Sequence, residues 1–145
     1  MLYSVSAVRP FELHHDVADN GYLVVMEGLT HFPFAISRVF VVRASAGAIR
    51  GQHAHKVCTQ LLSCSFGSVE VRCDDGCETA IHVLDQPHRG LLVPPGIWAQ
   101  QTYLAADSVL TVLCDRPYEP DDYIRDYSDF VAYRAALATL SLEDN

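Results

Sequence analysis

The spacing of two histidines between two glycines near the middle of this chain limits its possible folds more than any other feature. Gly47 is followed after five residues by His53 and His55, which a single residue separates; four further residues lead to Gln60 and six more to Gly67. Because side chains on a strand alternate between its two faces, the two imidazoles point the same way. The glycines favour turns. The pattern therefore predicts a strand that presents two histidines on one face, with turns on both sides.

The rest of the chain reads as a succession of short strands. Val69 to Cys73 alternates between apolar and polar residues, and Asp75-Gly76 is a strong hairpin signal. Strands are predicted at 34–44, 59–65, 69–73, 79–84, 90–93 and 108–114, with prolines at 94, 95, 117 and 120 between them. Strands of this length and spacing are typical of an all-β fold, an antiparallel sandwich or barrel.

One helix is predicted, at the C-terminal end of the chain. Ser128 is a suitable N-cap residue, and Phe130, Tyr133, Leu137 and Leu140 follow at steps of three or four residues. We expect the apolar side of this helix to cover a barrel end or a partner subunit.

Length and charge limit the possible functions. The chain has 145 residues and no internal repeat or linker, which predicts a single domain over 1–145. Its formal net charge of -8 argues against a nucleic-acid-binding face. No apolar run is long enough to span a membrane, and residues 1–5 do not resemble a signal peptide. Five cysteines without a Cys-x-x-Cys pair favour free thiols, so we expect a cytoplasmic protein.

The histidine pair is better suited to proton transfer than to metal binding. Zinc and iron sites usually have three or more strong donors, whereas His53 and His55 are accompanied by the neutral Gln60. An imidazole gives and takes protons near neutral pH. We therefore interpret both histidines as acid/base groups, with no metal and no cofactor expected.

Three further segments carry candidate ligand contacts. Arg38 and Arg50 flank the histidine strand, and a guanidinium forks well onto phosphate or carboxylate oxygens. Trp98 follows a Pro-Pro-Gly turn at a position that would line a barrel; core packing and substrate stacking are both open for it. By composition alone, the charged and aromatic segment 121–127 indicates a solvated loop.

The glycine–histidine pattern resembles the first motif of the cupin barrels. A second cupin motif matches Gly90 to Ala99. A metal-binding cupin has glutamate at the position of Gln60 and histidine at the position of Ala99, so this chain retains two of the four metal ligands. The resemblance implies an antiparallel cupin β-barrel or jelly roll with a short C-terminal helix.

Between about Phe34 and Phe130 the chain resembles the sugar-nucleotide 3,4-ketoisomerases, small cupins that act on dTDP-4-keto-6-deoxyglucose. The matching segments are Arg38-Val39-Phe40, Arg50-Gly51-Gln52-His53-Ala54-His55-Lys56, Gln60, Asp74-Asp75-Gly76, Pro95-Gly96-Ile97-Trp98, Tyr118 and Asp122-Tyr123-Ile124-Arg125-Asp126-Tyr127. The resemblance implies that the keto group moves from carbon 4 to carbon 3 through an enediol, in the biosynthesis of deoxy amino sugars for surface polysaccharides such as lipopolysaccharide. It also implies a metal-independent homodimer with exchanged strands, and no nucleic-acid or membrane partner.

The resemblance assigns roles to seven residues. It makes His53 and His55 the proton-transfer groups, and it offers Arg38, Arg50 and Arg125 for the nucleotide diphosphate. Gln60 and Trp98 complete the expected substrate-binding set.

The chain departs from the family pattern at two places. Val41 stands where family members commonly have an active-site tyrosine, and Ala18 and Asn20 replace an aspartate and an arginine. Tyr22 and Tyr103 are candidates to supply the missing phenol. Three alternatives stay open: a cupin-type nucleotide-sugar epimerase, a non-catalytic nucleotide-sugar-binding cupin, and a metal-dependent cupin enzyme.

Overall fold

Twelve strands and one α-helix make up the computed structural model, which describes residues 2–144. The elements are β1 (Arg9–Glu12), β2 (His14–Ala18), β3 (Gly21–Val25), β4 (Arg38–Ala44), β5 (Ile49–His55), β6 (Gln60–Phe66), β7 (Val69–Asp74), β8 (Thr79–Leu84), β9 (Arg89–Val93), β10 (Trp98–Tyr103), β11 (Ser108–Cys114), β12 (Tyr123–Ile124) and α1 (Tyr127–Glu143). Single 3-10 turns cover Val5–Ala7 and Pro120–Asp122. Residues 1 and 145 of the predicted domain lie outside the described range.

Two five-stranded antiparallel sheets form the barrel, in agreement with the predicted all-β cupin fold. The first has the strand order β1-β9-β6-β11-β4 and the second the order β12-β5-β10-β7-β8. Strands β2 and β3 pair only with each other among the described residues, as a separate hairpin. The predicted strands at 79–84 and 108–114 have the observed bounds of β8 and β11.

The main core lies between the two sheets. Leu62 and Val112 from the first sheet and Val71 and Tyr103 from the second belong to one cluster of buried side chains. Their strand neighbours Leu61 and Leu113 belong to a second cluster with Leu13, Phe32 and Phe34. Because side chains alternate along a strand, this second cluster covers the outer face of the first sheet.

The second cluster explains why one predicted strand is shorter than expected. Residues 34–37 were predicted as part of a strand over 34–44, but β4 begins at Arg38. Phe34 instead packs edge-on against Phe32, with ring centroids 4.9 Å apart, in the cluster outside the sheet. Packing of an aromatic side chain therefore outweighs its strand propensity here.

The C-terminal helix starts at a different cap from the one predicted. The N-cap residue is Asp126, whose carboxylate accepts a hydrogen bond from the backbone N–H of Asp129 at 3.0 Å, so the prediction of Ser128 was wrong. Phe130 is fully buried and packs in one cluster with Ala54 and Ile124. The helix therefore covers the edge of the second sheet where β5 meets β12. Among residues 2–144, no helix is long and apolar enough to cross a lipid bilayer.

Candidate active site

The two predicted histidines lie side by side at the inner wall of the barrel. The ring centroids of His53 and His55 are 5.0 Å apart, and their planes are nearly perpendicular, at 86°. Gly51, two residues before His53, has a φ of +73°, and the pairing of β5 with β10 shifts register beside it. A side chain at Gly51 would collide with the amide of Gln101. This glycine therefore permits the bulge that orients His53.

A cavity of about 360 Å³ lies between the sheets and contains most of the predicted site. It brings together five of the seven predicted residues: His53, Arg38, Arg50, Gln60 and Arg125. Its other lining residues are Phe40, Val42, Gly51, Leu62, Gln101, Tyr103, Leu110, Val112, Tyr118 and Tyr123. A narrow extension, which shares His53 and Gln60 with the cavity, is lined by His55. Six predicted residues thus surround one space.

Asp122 holds His55 in a defined orientation. Nδ1 of His55 lies 2.8 Å from Oδ2 of Asp122, and Oδ1 of Asp122 accepts the backbone N–H of Val57 at 2.7 Å. An ionised carboxylate only accepts hydrogen bonds, so Nδ1 of His55 carries the proton and Nε2 has the free lone pair. Nε2 is buried and has no hydrogen-bond partner among the described residues. His55 therefore presents a basic nitrogen without a competing contact.

Burial lowers the pKa values of both histidines. For His53, desolvation, followed by the nearby His55 and Arg125, lowers the pKa to about 4. For His55, desolvation lowers the pKa, although the hydrogen bond and charge of Asp122 act in the opposite direction. Both imidazoles are consequently neutral at neutral pH, which is the state that a general base requires.

Tyr123 lies in the candidate active site, but the sequence analysis did not select it. Its ring centroid is 5.1 Å from that of His53 and 4.4 Å from that of His55. Its hydroxyl oxygen accepts a hydrogen bond from Nη1 of Arg38 at 3.1 Å, while the guanidinium of Arg125 lies 4.3 Å from the ring centroid. Tyr123 thus connects the histidine pair with two of the predicted arginines.

The interpretation of residues 121–127 as a solvated loop was wrong at its centre. Asp122 is only 9% exposed, and Tyr123 and Ile124 form β12, which pairs with His55 and Ala54 of β5. Two-residue strands have no periodicity that a sequence pattern can show. The one available signal was the resemblance of this segment to the ketoisomerase motif.

The family tyrosine missing at Val41 does not leave a gap in the cavity. Val41 is 59% exposed and lies on the outer side of β4, while Arg38, Phe40 and Val42 face the cavity. Of the two tyrosines considered as substitutes, Tyr103 lines the cavity and is buried, whereas Tyr22 is 52% exposed on the separate hairpin. Tyr123 supplies a phenol beside the histidines instead.

Trp98 lies apart from the other predicted residues. It packs against Tyr127 and Phe130, with ring centroids 5.4 and 5.7 Å away, and lines a groove of about 530 Å³ on the outside of the barrel. Arg125 borders both this groove and the cavity. The groove is larger than the cavity, but the histidines predicted to transfer protons line the cavity and its extension.

One group of donor atoms at the site could hold a metal ion. Ligand atoms of His55, Cys58 and Asp122 lie within 4.8 Å of one another. Asp122 is already bonded to Nδ1 of His55 and to Val57. The hydrogen bond with Cys114, together with burial, raises the pKa of Cys58 and keeps its thiol protonated, which weakens it as a ligand. The donor chemistry here thus suits proton transfer better than metal binding.

Comparisons with known proteins agree with this geometry. Residues 6–135 match the family model described as FdtA: WxcM-like, C-terminal. A TDP-4-oxo-6-deoxy-alpha-D-glucose-3,4-oxoisomerase of Aneurinibacillus thermoaerophilus is 38% identical over 128 residues, which cover 88% of this chain and 90% of that protein.

Solved structures of sugar 3,4-ketoisomerases are also similar to this chain. The sugar 3,4-ketoisomerase QdtA of Thermoanaerobacterium thermosaccharolyticum, crystallised with TDP, has a TM-score of 0.86 and 31% identity, over 94% of this chain and 98% of that chain. A mutant of QdtA in complex with TDP-4-keto-6-deoxyglucose has a TM-score of 0.84 and 30% identity, over 88% of this chain and 93% of that chain.

Proposed function

The chain belongs to the FdtA family of sugar-nucleotide 3,4-ketoisomerases, and on this basis we propose that it converts a TDP-4-keto-6-deoxyhexose to the 3-keto isomer. The observation that carries this assignment is the pair of neutral histidines at one cavity, one of them held by Asp122. The relatives named above are ketoisomerases, which favours this function over the epimerase alternative.

We propose that His53 and His55 carry two protons between them, in four transfers. His53, which faces the open cavity, takes the proton from carbon 3, while Nε2 of His55 takes the proton of the hydroxyl on oxygen 3. The electron pair of the broken C3–H bond forms the C3–C4 double bond of the enediol, and oxygen 4 receives the proton held by His55. His53 then protonates carbon 4 as the C3 carbonyl forms. Both imidazoles end neutral, and because the substrate is neither oxidised nor reduced overall, no redox cofactor is needed.

Asp122 and Tyr123 support these transfers. The imidazolium that forms on His55 is stabilised by the carboxylate of Asp122, 2.8 Å from Nδ1. The hydroxyl of Tyr123, which accepts a hydrogen bond from Arg38, lies beside the histidines and stabilises negative charge on the enediol oxygens. Asp122 is a positioning residue in this scheme, since it acts through His55.

The nucleotide diphosphate is expected at the three arginines of the cavity. Arg38, Arg50 and Arg125 all line it, and guanidinium groups pair well with phosphate oxygens. Gln60 faces the cavity, with its Nε2 3.5 Å from Sγ of Cys114. Trp98 remains a predicted substrate contact, which would be reached only by a part of the substrate that extends past Arg125 into the outer groove.

We further propose that the substrate carries a thymidine nucleotide, and we propose a pathway, a cellular compartment and an oligomeric state for the protein. Five free cysteines favour the cytoplasm, where a nucleotide-linked substrate would feed deoxy amino sugar biosynthesis.

Exposed apolar side chains on the β2–β3 hairpin, at Val17, Tyr22 and Leu23, support a homodimer with exchanged segments. In the single chain, β1 pairs with β9 of the same chain. Light scattering after size exclusion would show twice the chain mass, whereas a monomer would refute the dimer.

The activity is tested by proton NMR of the purified protein with dTDP-4-keto-6-deoxyglucose in deuterium oxide. A 3-keto product is expected, with deuterium at carbon 4 because the proton on His53, which faces the open cavity, exchanges with the solvent before it is returned. The coupling constants give the stereochemistry at that carbon. The His53→Asn variant serves as the control for background isomerisation. Binding without a new sugar or exchange at carbon 3 would instead support a non-catalytic sugar-binding cupin.

A further inference from the structure

Three metal-ligating side chains converge at a second place, outside the active-site cavity. Ligand atoms of Glu12, His15 and His88 all lie within 4.8 Å of one another. None of the three lines the cavity or its extension. The residues come from three segments: the end of β1, the start of β2 and the loop before β9.

Backbone pairing holds these segments together. In the β1–β9 ladder, Glu12 lies opposite Arg89, the residue that follows His88. The N–H of Leu13 donates to the carbonyl oxygen of His88 at 2.7 Å. The donors are therefore brought together by a sheet edge and a connecting hydrogen bond, and their proximity does not depend on flexible side chains alone.

The orientation of His15 is suited to metal binding. Its Nδ1 lies 3.2 Å from the carbonyl oxygen of Leu13. A carbonyl only accepts, so Nδ1 carries the proton and Nε2 keeps a free lone pair. Metal-binding histidines commonly donate their second ring nitrogen to a carbonyl or carboxylate in this way.

His88 has to turn before both imidazoles can bind one ion. The rings of His15 and His88 are stacked, with centroids 4.0 Å apart and planes inclined by 25°, whereas a ligated metal lies near the plane of each ring. The χ2 torsion of histidine is broad, so a rotation of the His88 ring costs little. Both histidines are half-buried and Glu12 is exposed, which leaves solvent access to an entering ion.

We propose that Glu12, His15 and His88 bind one divalent transition-metal ion of the Zn²⁺ class, with water in the remaining coordination position. Two imidazoles and a carboxylate suit zinc and its neighbours, whereas calcium and magnesium prefer all-oxygen sites. The ion would join β1 and β2 to the loop before β9. The ion would lie outside the cavity that contains His53 and His55, and its binding does not depend on the proposed ketoisomerase reaction.

The test uses the full-length protein without an affinity tag, stripped with chelator and titrated with Co²⁺ while the visible d–d absorption is recorded. One equivalent is expected to bind and to be displaced by Zn²⁺. His88→Ala and the near-isosteric Glu12→Gln should each weaken binding by about tenfold or more. Thermal unfolding with added Zn²⁺ should show a stabilisation of the wild type that both variants lose.

The matched control is His14→Ala, which removes a different histidine from the same hairpin. His14 is exposed, and its Nε2 lies 3.4 Å from a carboxylate oxygen of Asp16. Its variant should bind Co²⁺ as the wild type does. The proposal would be overturned by any of three results: an equal loss of Co²⁺ binding in His14→Ala, unchanged Co²⁺ binding in His88→Ala, or no stoichiometric Co²⁺ binding in the wild type. Circular dichroism and retained turnover of His88→Ala verify folding and separate this result from any failure of the proposed activity.

Discussion

Nδ1 of His55 lies 2.8 Å from Oδ2 of Asp122, although 67 positions separate the two residues in the chain. The carboxylate comes from the 3-10 turn just before β12, and the imidazole from the end of β5. The same carboxylate accepts the N–H of Val57, and the carbonyl oxygen of Asp122 accepts the N–H of Lys56 at 2.8 Å. The turn is therefore fixed to the end of β5 and to the two residues after it by three hydrogen bonds, and the side chain of His55 takes its orientation from the turn.

Asp122→Asn is expected to lower kcat by about 100-fold or more while leaving the fold intact. An asparagine can still accept the Val57 N–H, but its amide does not stabilise the imidazolium of His55 and can reverse which nitrogen carries the proton. Steady-state kinetics with the 4-keto sugar nucleotide measure the effect.

Asp121→Asn is the control for that substitution, because Asp121 is the exposed neighbouring carboxylate. It should retain nearly full turnover. If Asp122→Asn turns over as fast as Asp121→Asn, the carboxylate has no part in the reaction.

The pH profile of kcat/KM is expected to have an acid limb below the 6.5 of an ordinary histidine, because burial lowers the pKa values of both histidines that take up protons in the proposed reaction. Burial lowers the pKa of His53 to about 4, so the base stays unprotonated across the range from 4 to 6.5. Initial rates from pH 3.5 to 8, with an unfolding check at each pH, locate the limb. A limb at or above 6.5 would contradict the role of the two buried histidines as the bases.

Folding stability is expected to fall as the pH drops from 6.5 towards 4. In this window the unfolded chain takes up a proton on His53, whereas in the folded protein the pKa of His53 is about 4 and the side chain stays neutral. Protonation therefore stabilises the unfolded state relative to the folded one. The contribution of His53 is at most about 3 kcal/mol. Urea unfolding measures the free energy of unfolding at pH 4.5 and 7. The difference between these two values should be smaller for His53→Asn than for the wild type, and it should equal that of the wild type for the exposed His14→Asn.

Tyr123→Phe is expected to reduce kcat by about tenfold or more, with a smaller change in KM. The phenylalanine keeps the ring contacts with both histidines but removes the hydroxyl that Arg38 contacts at 3.1 Å. Tyr127→Phe is the matched control, because its hydroxyl bonds to Asp74 outside the cavity. Equal rates in the two variants would show that the Tyr123 hydroxyl is not used.

Phe130→Ala is expected to destabilise the protein by about 3–5 kcal/mol. Phe130 is fully buried against Ala54 and Ile124, which pair with each other between β5 and β12. Ala54 lies between the two histidines in the sequence, and Ile124 follows Tyr123. Urea unfolding measures the loss, and Val131→Ala, at a 41% exposed position, should stay within about 0.5 kcal/mol of the wild type. An equal effect at the two positions would mean that the helix does not support the site.

The strands with clear alternation were predictable because their signal is local. Residues 69–73 and 79–84 alternate around a turn at Asp75-Gly76, and the structure forms the β7–β8 hairpin there. Strands β1, β2, β3, β10 and β12 were not predicted. Strand β12 has only two residues and forms by pairing with the distant β5, so no periodicity marks it in the sequence.

The sequence by itself determined the barrel, the inward histidine pair and the arginines, because glycine spacing, strand alternation and residue chemistry are properties of neighbouring positions. Only the tertiary structure decided that Asp122 is buried on His55, that Tyr123 faces both imidazoles, and that Trp98 lies outside the cavity. Those relationships depend on which strands pair across long stretches of chain. Desolvation, which sets the low pKa of His53, likewise exists only once both sheets have closed around it.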